Sequence, residues 1–133
     1  MRTYRGTLPD NGHTASTHTV TVDYGDGQGP RLLERKGQHS PTGFSWGYLG
    51  SGPATLACSI LWDAFGVEPT RACYQAFKEE FVARWPQDRG WELSDLQLFQ
   101  WMVRWLTDPD ALRPRYLAVA DQIRAESIER STR

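Results

Sequence analysis

The chain contains few of the residues and patterns typical of metal-binding, secreted or membrane proteins. Its 133 residues include two cysteines and three histidines, and these do not recur at the short spacings of a zinc site. No apolar run approaches the roughly 18 residues that cross a bilayer, and residues 1–6 lack the apolar core of a signal peptide. We therefore expect a cytoplasmic protein with no membrane segment, no metal and no cofactor.

The two cysteines, Cys58 and Cys73, both fall within apolar helical patterns. Buried, reduced thiols are the first interpretation, and a disulfide between neighbouring helices is the alternative. Because nothing else in the sequence indicates an oxidising compartment, we expect both thiols to be reduced and buried.

The chain also lacks an excess of charge of either sign. It has 15 basic and 16 acidic residues, and its net charge is -1. Proteins that bind nucleic acid non-specifically carry a basic surface, so nucleic acid is not expected as a direct target. Aromatic residues, in contrast, are plentiful, with six Trp, five Tyr and five Phe. Such large side chains supply a core in spite of the polar composition.

The pattern of the first 50 residues predicts strands. Residues 2–7 alternate between apolar and polar positions, residues 18–24 alternate strictly, and residues 31–36 can return as a third strand after the glycine-rich turn at 25–30. Residues 37–52 are rich in glycine and serine but also carry three aromatic residues. We therefore expect an ordered loop there, since a disordered linker would not concentrate aromatic side chains.

The apolar spacing becomes helical near Pro53. The first helix is predicted to begin at Pro53, with Ser51 or Gly52 as its cap, and to close at Gly66. The second is predicted from residue 69 or 70 to just before the proline at position 86.

Two more helices are predicted in the C-terminal part. The third begins at Ser94, where Ser94 and Gln97 form a capping box and Leu93 and Leu98 form a hydrophobic staple. The fourth is predicted from about residue 114 to residue 129. Its apolar face consists of Leu117, Ala120, Ile123 and Ile128.

Together these elements predict an α+β fold. Residues 1–133 are expected to form one domain. Within it, residues 1–50 form a small antiparallel sheet of about three strands and the ordered aromatic loop, and residues 51–133 form a bundle of three to four helices.

The longest recognisable motif spans residues 39–54. It reads His39-Ser-Pro-Thr-Gly-Phe-Ser-Trp-Gly-Tyr-Leu-Gly-Ser-Gly-Pro-Ala54 and is followed by Leu56-Ala57. It resembles the hallmark H-S-P-T-G-F-x-W-G-Y-G-G-S-G-P-A-x-L-A of a family of small uncharacterised proteins, a domain of unknown function, from bacteria, phages and plasmids. The resemblance covers residues 31–106. It implies a mobile-element setting and no particular reaction. Leu49 occupies a position where the family usually has glycine. This difference argues against any role that requires a residue without a side chain at that position.

The end of this motif is a candidate binding site. Ser51-Gly52-Pro53-Ala54 leads into a helix N-terminus, where backbone N–H groups favour an anion such as phosphate, carboxylate or a nucleotide. The pattern is not a P-loop, because the lysine and the hydroxyl residue of that motif are absent. The alternative is a tight turn that packs under Trp46 and binds nothing. The candidate ligand-binding or partner-binding residues are His39, Trp46, Tyr48, Ser51, Gly52, Arg31 and Arg35.

No arrangement of residues for catalysis is evident. His39 and Ser40 are adjacent, and adjacent side chains on an extended chain point apart, so the histidine is badly placed to activate the serine. Ser51 is not in a G-x-S-x-G elbow. We expect no catalytic residue, and an enzyme ranks last among the function classes.

The third predicted helix carries the candidate interface residues Trp101 and Trp105, one turn apart. The helix is apolar nearly all round, so it is either buried or covers a partner. Tryptophan is enriched at binding hot spots. The sequence leaves both interpretations, core and interface, open.

Two function classes therefore stand ahead of an enzyme. The first is a non-enzymatic protein-binding module of phage or mobile-element type, with a host or phage protein as partner. An inhibitor of a host defence system such as CRISPR is one form it would take. The second is a small-ligand protein that binds an anion or nucleotide at Ser51–Ala54. A copurifying small molecule would favour the second class, and a captured partner would favour the first.

Overall fold

A four-stranded antiparallel sheet forms one side of the fold. The structure is a computed structural model that describes residues 1–8, 18–37 and 43–108. The strands lie in the order β3-β2-β1-β4. Their bounds are β1, Thr3–Thr7, β2, Thr19–Asp23, β3, Pro30–Leu32, and β4, Trp91–Ser94.

The predicted α+β class is confirmed, with one strand more than the sequence pattern indicated. β1, β2 and β3 come from the N-terminal part, as expected. β4 comes from the residues just before the third helix, and it pairs antiparallel with β1. It has only four residues, and its partner strand lies far away in the sequence. A local pattern therefore does not reveal it.

The inner face of the sheet follows from the alternation of each strand. Tyr4 lies opposite Val22 on one side and Leu93 on the other, and all three are buried. Gly6 occupies the next inward position, opposite Trp91. A Cβ atom at Gly6 would overlap the Trp91 indole, so this glycine makes room for the ring.

Three α-helices and a 3₁₀ turn complete the described structure. Their bounds are α1, Ser51–Phe65, α2, Arg71–Glu80, the 3₁₀ turn Val82–Arg84, and α3, Asp95–Thr107. Leu93 and Leu98, the predicted staple, are both buried where β4 leads into α3. The helix predicted for residues 114–129 lies outside the described residues.

The ends of two helices differ from the prediction. α1 begins at Ser51 with Gly50 as its N-cap, so Pro53 is its third residue rather than its first. It ends at the left-handed Gly66 as predicted. α2 ends at Glu80 because the backbone of Phe81 leaves the helical region and begins the 3₁₀ turn.

α1 is the central helix of the fold. Ten consecutive residues, Gly52–Leu61, are buried, so the helix is enclosed on all sides. The buried Ser59 hydroxyl has two acceptors in reach for its own proton, Lys36 O at 3.0 Å and Thr55 O at 2.8 Å. It also accepts a hydrogen bond from Lys36 N at 2.8 Å. This bond holds the segment after β3 against the middle of the helix.

A polar cluster holds the C-terminal end of α1 to the sheet. The Asp63 carboxylate accepts hydrogen bonds from the hydroxyls of Tyr4 and Tyr24, both at 2.6 Å. The Arg2 guanidinium donates to the carbonyls of Asp63 and Ala64 at 2.9 and 2.8 Å, where a cation favours the negative end of the helix dipole. Burial raises the pKa of the Tyr4 hydroxyl, and its bond to Asp63 raises it further.

Both cysteines are free and buried, as predicted. Burial raises the pKa of each thiol to about 11. Thiolate is the reactive form of cysteine, so burial makes both side chains poor nucleophiles at neutral pH.

The Ser94 capping box generates a first prediction. Gln97 N donates to Ser94 Oγ at 3.3 Å, and Ser94 N donates to Gln97 Oε1 at 3.0 Å. Ser94→Ala is expected to lower the free energy of unfolding by about 1 kcal/mol because the Gln97 amide, at position N3 of α3, loses its acceptor. Ser51→Ala is the control, since Ser51 is exposed and is not the N-cap of α1. Equal denaturation midpoints for the two variants would contradict the role of the cap.

Candidate functional site

Trp46, the centre of the sequence motif, belongs to the core. It is fully buried, and its indole Nε1 donates to Arg89 O at 3.0 Å. Its ring meets Trp91 edge to face at 5.8 Å and His18 at 4.5 Å. A ligand cannot reach a side chain enclosed in this way, so Trp46 anchors the loop and is not a wall of a site.

Tyr48 folds back over the start of α1. Its side chain is 41% exposed, and its hydroxyl shares a 2.7 Å hydrogen bond with Ser45 Oγ. A Cβ atom at Gly50 would overlap the Tyr48 ring, and one at Gly52 would overlap Ser45 Oγ. Both glycines are therefore needed for close packing, whether or not a ligand binds there.

The start of α1 offers few amide donors. Pro53 has no N–H, and Ala54 N already donates to Gly50 O at 3.1 Å. Within the first turn, Ser51 and Gly52 are left as the amides able to meet an anion. The donor set is thus smaller than a helix N-terminus usually provides.

Arg31, one of the basic residues expected at this turn, lies elsewhere in the fold. Arg31 lies over the Tyr24 ring at 4.9 Å and pairs with Asp26. Tyr24 in turn binds Asp63, which is twelve residues and so about 18 Å along α1 from Ser51.

The other two expected cations differ in their placement. Arg35 is exposed, and it precedes Lys36, whose backbone is bonded to the middle of α1. His39 lies outside the described residues, as does the neighbouring Ser40.

Different basic residues flank the start of α1, and they come from α2. A cavity of about 370 Å³ opens where the start of α1 meets α2. Its walls are Leu49, Gly50, Ser51 and Ala54 on one side and Arg71, Gln75, Lys78 and Glu79 on the other. The α2 wall therefore brings two cations and one carboxylate to the predicted anion site. The spacing of residues 71, 75 and 78 along one helix face was the only sequence signal for this arrangement.

Two residues of the α2 wall are unusually buried for polar side chains. Lys78 is 7% exposed and Gln75 is 6% exposed. Desolvation lowers the pKa of the Lys78 ammonium; the Glu79 carboxylate raises it and the Arg71 cation lowers it. Gln75 Oε1 accepts no hydrogen bond within the described part of the chain. The cavity thus has a polar wall with hydrogen-bonding capacity that the described residues do not use up.

α3 divides its apolar residues between two faces. Trp101 is 1% exposed and packs edge to face on Phe77 at 5.2 Å. Trp105 stacks on Trp101 at 5.9 Å and is half-buried against the core. The structure therefore places Trp101 in the core rather than at an interface, and Trp105 at its margin.

The other face of α3 is apolar and exposed. Its members are Leu96, Phe99, Val103 and Leu106, with exposed fractions of 59%, 65%, 48% and 73%. They are spaced three, four and three residues apart, the spacing of a coiled-coil seam. We call these four residues the outer face of α3. The sequence showed a helix apolar nearly all round, but only the packing of Trp101 shows which side remains open.

A cleft adjoins the N-terminal end of the outer face. It has a volume of about 460 Å³ and lies between α3, the end of α1 and the start of the chain. Leu96 and Phe99 line it together with Met1, Arg2, Ala64, Phe65, Asp95 and Leu98. Apolar side chains dominate this lining, so the cleft is suited to an apolar group.

The described residues hold neither a metal cluster nor a membrane-spanning helix. Within 1–8, 18–37 and 43–108, no three His, Cys, Asp or Glu side chains are grouped so as to hold a metal ion. No helix in that part of the chain has the length and apolar character to cross a membrane.

A family model matches most of the chain. The model of a family of unknown function, DUF6166, matches residues 4–104. The expected membership in a domain family of unknown function is thereby confirmed. Neither the curated proteins nor the solved structures give a significant match.

The packing of Ser45 on Gly52 generates a second prediction. Gly52→Ala is expected to lower the free energy of unfolding by about 1–3 kcal/mol, because the new methyl group overlaps Ser45 Oγ. Ser45→Ala removes that oxygen, so the double variant should recover roughly half of the loss. Chemical denaturation of the single and double variants measures this coupling. Strictly additive losses would show that Gly52 is needed for another reason.

Proposed function

The chain belongs to the DUF6166 family of unknown function, and from that premise we propose that it is a non-enzymatic protein-binding module. The outer face of α3 is its docking surface. The observation that carries this proposal is the exposure of four large apolar side chains in one row, on a helix whose opposite side is fixed in the core.

The spacing of the outer face indicates the kind of partner. Residues at i, i+3, i+7 and i+10 form a stripe about 15 Å long along the helix axis. Such a stripe is buried by an amphipathic helix with apolar residues at matching positions. The cleft beside Leu96 and Phe99 would receive one larger apolar side chain at the end of that helix.

The few charges near the outer face favour a partner with an apolar surface over a partner with a strongly charged one. α3 carries two charged residues, Asp95 and Arg104, which have opposite signs, and the cleft beside Leu96 likewise contains one residue of each sign, Arg2 and Asp95. Arg104 already lies 3.5 Å from Glu80. Recognition therefore rests on buried apolar area, with little steering by charge.

The biological setting proposed for this binding comes from the sequence resemblance. A protein of phage or mobile-element type would meet a host or phage protein as its partner. A component of a host defence system such as CRISPR is the partner class that this setting favours. Reduced interference by that system in cells that express the chain would test the proposal.

The outer face generates a third prediction. Leu96→Gln combined with Phe99→Gln is expected to abolish capture of the partner from cells of the source organism, because the apolar anchors are lost. Leu32→Gln combined with Val67→Gln is the matched control, since these two residues are also exposed but lie off α3 and line neither cavity. Quantitative mass spectrometry of the three captures measures the difference.

The pattern of partner recovery from the three chains decides whether the proposal stands. A partner retained by the original chain and the control, and lost from the outer-face variant, supports the proposal. Equal recovery with all three chains, or no protein whose recovery depends on the outer face, would overturn it. Circular dichroism checks that all three chains are equally folded.

A second candidate function is binding of a small anion between α1 and α2. The specific observation in its favour is that Arg71 and Lys78 line the cavity at the start of α1. The helix end alone favours an anion by only about 0.3–1 kcal/mol, so these cations would supply most of the attraction. The volume of about 370 Å³ is within the range for small ligands.

Lys78 generates a fourth prediction. Inorganic phosphate or adenosine monophosphate is expected to raise the melting temperature of the original chain and of Lys36→Met, but not of Lys78→Met. Lys36 is the control because its ammonium lies over Trp62, outside this cavity. Because desolvation lowers the Lys78 pKa, the shift should decline with rising pH before the usual lysine pKa of about 10.4 is reached. Equal shifts in all three chains would exclude this site.

A further inference from the structure

The cavity at the start of α1 has a buried hydrogen-bond acceptor in its wall. Gln75 lines the cavity and is 6% exposed, and its Oε1 accepts no hydrogen bond from the described residues. A buried polar atom without a partner costs free energy, so native proteins rarely keep one. A ligand that brings an N–H group into the cavity would remove this cost. Gln75 therefore adds a second requirement to the anion site, a hydrogen-bond donor on the ligand.

Charges of both signs surround this acceptor on α2. Arg71 precedes Gln75 by four residues, and Lys78 and Glu79 follow it by three and four, so all four side chains share one face of the helix. Glu79 lies one helical turn, about 6 Å along the axis, from Gln75. The same wall thus has groups that attract an anion and, beside them, groups that attract a cationic donor.

The α1 side of the cavity completes the set. The start of the helix at Ser51 favours a negative group. Leu49 and Ala54 are the apolar residues of the lining, and such residues suit an aliphatic group on a ligand. The three features call for one molecule that has an anion, a cationic donor and a short apolar group.

We propose that the cavity between α1 and α2 binds a free α-amino acid with an aliphatic side chain. Its carboxylate would meet Arg71, Lys78 and the start of α1. Its α-ammonium would donate to Gln75 Oε1 and be balanced by the Glu79 carboxylate. This inference rests on the anion binding proposed above as the second candidate function, and it names the ligand class of that site.

The spacing of the wall favours a free amino acid over the end of a peptide. The carboxylate and the ammonium of an amino acid are attached to one carbon, so the site must offer donors and an acceptor side by side. Lys78 and Gln75, three residues apart on α2, are neighbours of this kind. A peptide terminus carries only one of the two charged groups, and it would leave either the cations or the acceptor without a partner.

Titration calorimetry of the full chain with three matched probes tests the proposal. L-leucine has both charged groups, isocaproate is the same molecule without its amino group, and L-leucinamide lacks the carboxylate. L-leucine is expected to bind at least about tenfold more tightly than either analogue, because each analogue loses a charge-assisted hydrogen bond. Equal affinities for L-leucine and isocaproate would overturn the proposal.

Substitutions at Gln75 show whether this side chain recognises the ammonium. Gln75→Met removes the acceptor at similar volume and is expected to reduce the preference for L-leucine over isocaproate to less than about threefold. Gln75→Glu keeps an acceptor and should keep the preference. Gln100→Met, the same substitution at an exposed position of α3, is the matched control. The ratio of the two affinities is compared because a general effect on the fold changes both affinities alike.

The phosphate experiment with Lys78→Met separates this inference from the anion site itself. If phosphate binding depends on Lys78 but L-leucine has no advantage over isocaproate, the anion site stands and the amino-acid proposal is wrong. If neither phosphate nor L-leucine binds, both are wrong. A preference for L-leucine that is lost in Gln75→Met and kept in Gln75→Glu and Gln100→Met supports the proposal, and an equal preference in Gln75→Met and Gln100→Met contradicts it.

Discussion

The fold depends on burying α1 on every side. A helix with ten consecutive buried residues has no solvent-facing stripe, so other elements must cover its whole surface and satisfy its polar groups. Three anchors do this along its length: Tyr48 and Ser45 over its start, Ser59 bonded to Lys36 in its middle, and Asp63 bonded to two tyrosines at its end. The sheet, α2 and the loop before α1 are arranged around these anchors.

This constraint explains most of the long sequence motif. Trp46 fills the core, the ring of Tyr48 requires Gly50, and the hydroxyl of Ser45 requires Gly52. Residues that look like a ligand-binding turn are therefore largely used to bring a loop close to a buried helix. The cavity beside the start of α1 lies on its α2 side, where Lys78 is largely buried.

α3 stands at the edge of the same core and is covered on one side only. Leu98 and Trp101 pack inward, while the outer face exposes four large apolar side chains. A row of this kind in contact with water forgoes the stabilisation of burial, about 25 cal/mol for each Å², and large exposed apolar patches often mark interaction sites. The structure thus relates the inner packing of one helix to the function proposed for its outer side.

Features encoded by neighbouring residues could be predicted from the sequence. A few neighbouring residues determine each of three such features: the alternation of β2, the glycine that ends α1 and the capping box of α3. Backbone geometry and helix caps are local properties. Other features depend on elements that are distant in the chain. They are the pairing of β4 with β1, the core position of Trp101, and the fact that Arg71 and Lys78, rather than Arg31, lie beside the start of α1. Local patterns give a side chain's type and periodicity, but which distant surface it faces is decided only when α1 is enclosed and the sheet and helices pack around it.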